Sequence, residues 1–169
     1  YDFQNAKISI CVLIFMFIAG INYILIYRSL KNKKPSHITK SEEFRVYLTI
    51  VIAISTLLGL SLLINSHFPI KKAFLTSFFQ IIATITSTGF AIDNYINWDA
   101  TSKVILFLAY FIGGCATSTS GGIKIIRWIF IGKYLKRELN KIIHPSGVYP
   151  IKLEGNTVNN DIVSQMIAF

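Results

Sequence analysis

Residues 73–92, Ala-Phe-Leu-Thr-Ser-Phe-Phe-Gln-Ile-Ile-Ala-Thr-Ile-Thr-Ser-Thr-Gly-Phe-Ala-Ile, decide how this chain folds. The run carries no charge, and about 20 such residues are enough to cross a bilayer as a helix. It nevertheless closes on Thr86-Ser87-Thr88-Gly89, a poor ending for a lipid-facing helix. If the segment instead dips into the membrane and returns, those residues sit at depth with their carbonyls free. Such backbone is tolerated only where it is buried in protein or lines a watery cavity.

The surrounding composition supports a membrane setting. Of 169 residues, 53% are hydrophobic and only 15% charged, against roughly 25% charged in soluble domains. Mean hydropathy is +0.54. The formal charge of +9 resides in loops beside apolar runs, which fits the positive-inside rule and not a phosphate-binding face. Nucleic acid is therefore not an expected partner. Cys11 and Cys115 lie in separate apolar segments, so neither a disulfide framework nor a metal site is indicated. The chain starts at Tyr1 without a signal-peptide pattern and turns apolar again over 162–169, so both ends read as cut from something longer.

Four apolar stretches stand out, at about 8–27, 46–65, 73–92 and 104–131. The loop 28–45 carries six basic residues against Glu42 and Glu43, and 133–141 carries four against Glu138. If all four stretches span, these basic loops face opposite sides. If 73–92 is re-entrant, both face the cytoplasm, as the charge bias requires. The expected order is helix (8–27), helix (46–65), re-entrant hairpin (about 71–92) and helix (about 100–131). Within the hairpin, Ala73–Ile85 reads as a short helix packed through Phe74, Phe78 and Phe79, with Thr86–Gly89 as the extended return and Trp98 at the interface. The last stretch is interrupted by Gly113-Gly114-Cys115-Ala116-Thr117-Ser118-Thr119-Ser120-Gly121-Gly122, which predicts a broken helix. Residues 144–150 have turn chemistry.

The chemistry centres on two of these segments. A dehydrated monovalent cation needs several oxygen dipoles in place of its water shell, and rings of backbone carbonyls supply them. Thr86, Ser87, Thr88 and Gly89 fit that role, Gly89 because it accepts positive φ; the same residues read equally as a turn between helices. Residues 113–122 read first as a small-residue packing seam and second as a loop that blocks a pore. Lys124 and Arg127 read as snorkelling side chains or as contacts of that loop. Asp93 and Asp99 are loop carboxylates that a cation-concentrating mouth would also use. Asn22 reads as a helix–helix hydrogen bond. His37, His67 and His144 show no triad or ligand spacing, so an enzyme is not expected. A non-conducting scaffold that binds a soluble partner or anionic lipid through the basic loops is the alternative.

Several motifs occur in one order: Phe15-Met16-Phe17-Ile18-Ala19-Gly20-Ile21-Asn22-Tyr23, Glu43-Phe44-Arg45, Thr88-Gly89-Phe90, Phe111-Ile112-Gly113-Gly114-Cys115-Ala116, Gly121-Gly122-Ile123-Lys124-Ile125-Ile126-Arg127, Arg137-Glu138-Leu139, and His144-Pro145 with Val148-Tyr149-Pro150-Ile151-Lys152-Leu153. The series resembles the membrane subunit of the Trk/Ktr/HKT potassium transporters, closest to the bacterial TrkH type. The resemblance implies an all-α membrane protein of four helix–pore-loop–helix units around a pseudo-fourfold pore, paired as a homodimer in the bacterial cytoplasmic membrane. Residues 1–28 would end the second unit, 29–45 form a cytoplasmic loop, 46–131 make the third unit, 132–160 return to the cytoplasm and 161–169 begin the fourth. The filter falls on Thr86, Ser87, Thr88 and Gly89, with K+ as the transported ion and no bound cofactor. The gating loop falls on Gly113–Gly122, with Lys124 and Arg127 beside it. A cytosolic nucleotide-binding subunit of the TrkA type is the implied partner. Where the family's gating loop usually has glycine, this chain has Thr117 and Ser120, which stiffen the loop or narrow the path.

Overall fold

The computed structural model describes residues 6–33, 36–66, 68–144, 147, 149–153, 156–158, 163, 165 and 166. His67 and six of the nine residues 161–169, where the sequence places the start of a fourth unit, lie outside these residues. Seven helices are present among them: α1 (Ala6–Ala19), α2 (Tyr23–Lys31), α3 (Ser36–Lys40), α4 (Glu42–Asn65), α5 (Ile70–Ile85), α6 (Ala100–Ala109) and α7 (Ile125–Ile143). A 3-10 turn covers Tyr95–Asn97, and a two-stranded antiparallel hairpin pairs β1 (Lys152–Leu153) with β2 (Asn156–Thr157).

α4 is the longest element, and its start follows from local chemistry. Ser41 is extended ahead of it, and Glu42 and Glu43 occupy the first turn, where the helix dipole favours negative charge. Beyond Arg45 the helix is uncharged. It is the one described helix that is by itself long and apolar enough to cross a membrane. One face, through Tyr47, Val51, Leu58 and Leu62, is sealed in the core, whereas Ile52, Leu57, Leu60 and Ile64 stand exposed. α4 packs on α5, α6 and α7.

α5 begins after Pro69 and runs for 16 residues, about 24 Å at 1.5 Å per residue, short of the roughly 30 Å hydrocarbon core. Its last seven residues, Phe79–Ile85, are all buried. Continuous burial explains the unbroken apolar run: the helix is surrounded by protein, not lipid. Ser77 and Thr84 return their hydroxyls to the Ala73 and Gln80 carbonyls at 2.7 and 2.8 Å, so this burial strands neither. Phe79 is fully buried, with Phe74 and Phe78 partly so.

Two expected helices are broken more deeply than the sequence pattern suggests. The stretch 8–27 divides at residues 20–22 into α1 and α2, bent by 94°. Asn22 causes the restart: its extended backbone and Oδ1, which accepts from the Ile24 N–H at 3.0 Å, cap α2. The stretch 100–131 ends its first helix at Ala109, well before Gly113, and resumes only at Ile125, after which α7 continues to Ile143. α6 spans 10 residues, about 15 Å and half a bilayer. Trp98, expected at an interface, is only 4% exposed and meets Tyr95 edge to face. A small second core joins Phe130 of α7 to Ile151 and Val163.

Candidate filter and gating loop

The return from α5 is built by local hydrogen bonds. Thr86 closes the helix, donating its hydroxyl to the Ile82 carbonyl at 2.7 Å and its N–H to the same oxygen at 2.9 Å. Ser87 then enters the left-handed region at φ +57, and Thr88 folds its N–H back to Ala83 at 3.0 Å. The Thr88 hydroxyl rests on Met16 Sδ at 3.0 Å. Gly89 follows at φ +75, with nothing within 4 Å of where a Cβ would stand. Thr86 is buried, whereas Ser87, Thr88 and Gly89 are exposed along one edge. That edge opens onto a cavity of about 250 Å³ lined by Gln80, Thr84, Ser87, Gly89, Tyr95 and Tyr110. Gln80, unremarked in the sequence, has a buried Oε1 without a hydrogen-bond partner among the described residues.

The segment 110–124 is an ordered strap rather than a packing seam alone. Gly113 donates to the Ile123 carbonyl and Ile123 to that of Phe111, both at 2.9 Å, and Ile125 donates to Gly114 at 3.1 Å. The two sides of this strap touch so closely that a Cβ on Gly113 would collide with the Gly121 carbonyl oxygen. Gly122 supplies the reversal at φ +72. Inside the loop the hydroxyls are shared: Ser120 Oγ accepts from the Gly114 N–H at 2.7 Å and lies 2.8 Å from Ser118 Oγ, which donates to Cys115 O at 2.7 Å.

Lys124 turns inward. Its ammonium donates to the Ser118 and Ser120 carbonyls at 2.8 and 2.5 Å, with both hydroxyls within 3.4 Å. The snorkelling reading of Lys124 is thus corrected: four loop oxygens outcompete the interface. Arg127 lies in the first turn of α7, its N–H donating to Lys124 O at 2.9 Å.

The loop is fastened on both flanks. The Gly121 N–H donates to Ser87 Oγ at 2.9 Å, joining the two candidate segments directly. On the other side, the Cys115 N–H donates to Gly20 O at 3.0 Å, at the break between α1 and α2. Thr117 Oγ1 donates to Asn22 Oδ1 at 2.7 Å and accepts from the Tyr23 N–H at 2.9 Å. Asn22 therefore binds a loop and a helix start, not merely a second helix. Glu43, 6% exposed, accepts from the Ala116 N–H at 2.5 Å and from Asn22 Nδ2 at 2.8 Å. Gly20 and Glu43 carry this junction, and the sequence pattern marks neither as a site residue. The available signal was a glycine and an asparagine interrupting an apolar run, and an acid at the start of the next helix.

The two loop carboxylates, Asp93 and Asp99, are committed elsewhere. Asp93 pairs with Lys72 at 3.3 Å. Asp99 caps α6 and gathers Ser102, Asn65 and Ser66 around its carboxylate at 2.6–3.2 Å. Partial burial pushes its carboxyl up, but the hydrogen bonds from Ser102, Ser66 and Asn65 prevail and bring it down to about 2. Among the described residues, no cluster of His, Cys, Asp and Glu is arranged to hold a metal.

This geometry has close counterparts. A family model described as TrkH, cation transport protein, matches residues 1–169. The Trk system potassium uptake protein TrkH of Salmonella typhimurium is 31% identical over 168 residues, covering 99% of this chain and 35% of the relative. The Trk system potassium uptake protein TrkG of Escherichia coli is 26% identical over 167 residues, with 99% and 34% covered. The crystal structure of the potassium transporter TrkH from Vibrio parahaemolyticus superposes with a TM-score of 0.91 at 29% identity, over 99% of this chain and 36% of that one. The chain thus spans about a third of the length of these relatives. The helical fold is shared with that structure, and the chain belongs to the TrkH family of cation transport proteins.

Proposed function

We propose that this chain supplies one side of a potassium-conducting pore, with Thr86, Ser87, Thr88 and Gly89 presenting backbone carbonyls to the ion and residues 113–122 acting as the gate. The observation that carries the reading is the buried C-terminal half of α5 followed by two left-handed residues, Ser87 and Gly89, on an edge open to a cavity. A helix C-terminus directs the negative end of its dipole toward that edge, and irregular backbone beneath it is tolerated where it lines water. The names of the relatives, potassium uptake proteins, support K+ as the ion. One such edge forms a quarter of a carbonyl ring. Residues 1–28 then finish one pore unit, 46–131 form the next and 161–169 start another, with 29–45 and 132–160 cytoplasmic in the bacterial inner membrane.

The partners follow from the same reading: a TrkA-type nucleotide-binding subunit on the basic cytoplasmic face and a second copy of the full-length chain. The test is rubidium uptake by the full-length subunit carrying Gly89→Asp or Gly89→Pro. Uptake should fall by at least about tenfold, since both changes disturb a position at φ +75. Undiminished uptake would remove the filter from these residues.

A further inference from the structure

We propose that Glu43 is the positioning residue of the loop 113–122, clasping it to the helix break of the preceding unit through Asn22 and Thr117. The proposal rests on the reading of that loop as the gate, but its geometry stands separately. Glu43 is the one charged side chain among the buried residues of α4. Both of its oxygens are used across long sequence distances: Oε1 holds the Ala116 N–H and Oε2 the Asn22 amide. The other end of the Asn22 amide holds the Thr117 hydroxyl and the Ile24 N–H.

Thr117 in turn takes the Tyr23 N–H. The pattern is directional: carboxylate accepts, amide nitrogen donates, amide oxygen accepts, hydroxyl donates. A buried charge with two hydrogen bonds is stable only while both remain made, because leaving it unpaired is far costlier than never having it. Residues 115–117 are consequently tied to residues 20–23, and the loop cannot lift without either breaking the clasp or taking the α1–α2 break with it.

The donor–acceptor order supplies a sharp test. Glu43→Gln presents an NH2 to the Asn22 NH2, two donors facing each other. Flipping Asn22 moves the conflict to the Ile24 N–H. The pair Glu43→Gln with Asn22→Asp restores every polarity. The new amide at position 43 accepts from Ala116 and donates to the new carboxylate at position 22, which still accepts from Thr117 and Ile24. Asp is also as good a helix N-cap as Asn.

Hydrogen exchange by mass spectrometry, on the full-length subunit in lipid nanodiscs, reads the segments 113–122 and 20–24. Exchange follows the population of locally opened states. Glu43→Gln should speed exchange in these two segments roughly tenfold, the effect of one lost charge-assisted hydrogen bond, and the swap should return it near wild type. Thr117→Val, which keeps the branched shape and removes the hydroxyl, should act in the same direction if Glu43→Gln does not fold.

Unchanged exchange, failure of the swap to rescue, or acceleration spread equally through α4 and α5 would overturn the proposal. Rubidium flux through the same variants tests the gate separately. Exchange that rises and is rescued while flux stays constant keeps the clasp and discards the gate.

Discussion

Gly20→Ala is expected to damage the junction between the α1–α2 break and the candidate filter. A Cβ at Gly20 would overlap Tyr47 Oη, and would stand 2.9 Å from Tyr47 Cζ and 3.0 Å from Thr86 Cγ2. Tyr47 has little room to yield. It is fully buried, its ring stacks on Phe17 at 5.2 Å and its hydroxyl donates to Phe17 O at 3.3 Å. Forcing one methyl into such a site costs about 1–3 kcal/mol, partly offset by the ~0.4–1 kcal/mol that Ala gains over Gly through the unfolded chain.

Tyr47→Phe removes the nearest atom that the methyl strikes and leaves the milder 2.9 Å approach to Cζ, at the loss of one long hydrogen bond of about 0.5–1.5 kcal/mol. The double variant should therefore lose about 1 kcal/mol less than the sum of the single ones. Denaturation of the purified full-length subunit in detergent measures all four corners of this cycle. Additivity within about 0.3–0.5 kcal/mol, the scatter of independent sites, would refute the packing argument.

Three further outcomes follow from the geometry. Gly113→Ala drives a Cβ into the Gly121 carbonyl oxygen, a backbone atom that cannot swing away; the strap cannot close, and basal rubidium leak in vesicles should rise roughly tenfold. Lys124→Met keeps the stem but leaves the Ser118 and Ser120 carbonyls without their ammonium, so basal leak should rise in the same assay, and wild-type leak would count against the pinned loop. Asp99 titrates at about 2 in the folded chain against an ordinary 3.8. Because the folded value is the lower one, its stabilising contribution is complete above about pH 4 and fades as pH falls toward 2. Asp99→Asn, which still caps α6, should flatten that part of the stability–pH curve.

The sequence alone determined the class and the order of the pieces. An uncharged run ending in Thr86-Ser87-Thr88-Gly89, basic loops, and glycine pairs around hydroxyls are local patterns, and local patterns survive in one dimension. They located the short helix before the return, because a helix buried on all sides needs no polar stripe, and they located the interruption at 113–122.

Tertiary structure decided what those pieces hold. Asn22 looks like any polar residue in an apolar helix until Thr117, 95 positions away, supplies the hydroxyl that makes it a clasp. Lys124 looks like a snorkelling cation until four oxygens of its own loop surround it. Glu43 looks like a first-turn acid until Ala116, 73 positions on, donates to it. A hydrogen bond is fixed by distance in space, and hydropathy and charge patterns along a chain contain no record of which distant donor will arrive.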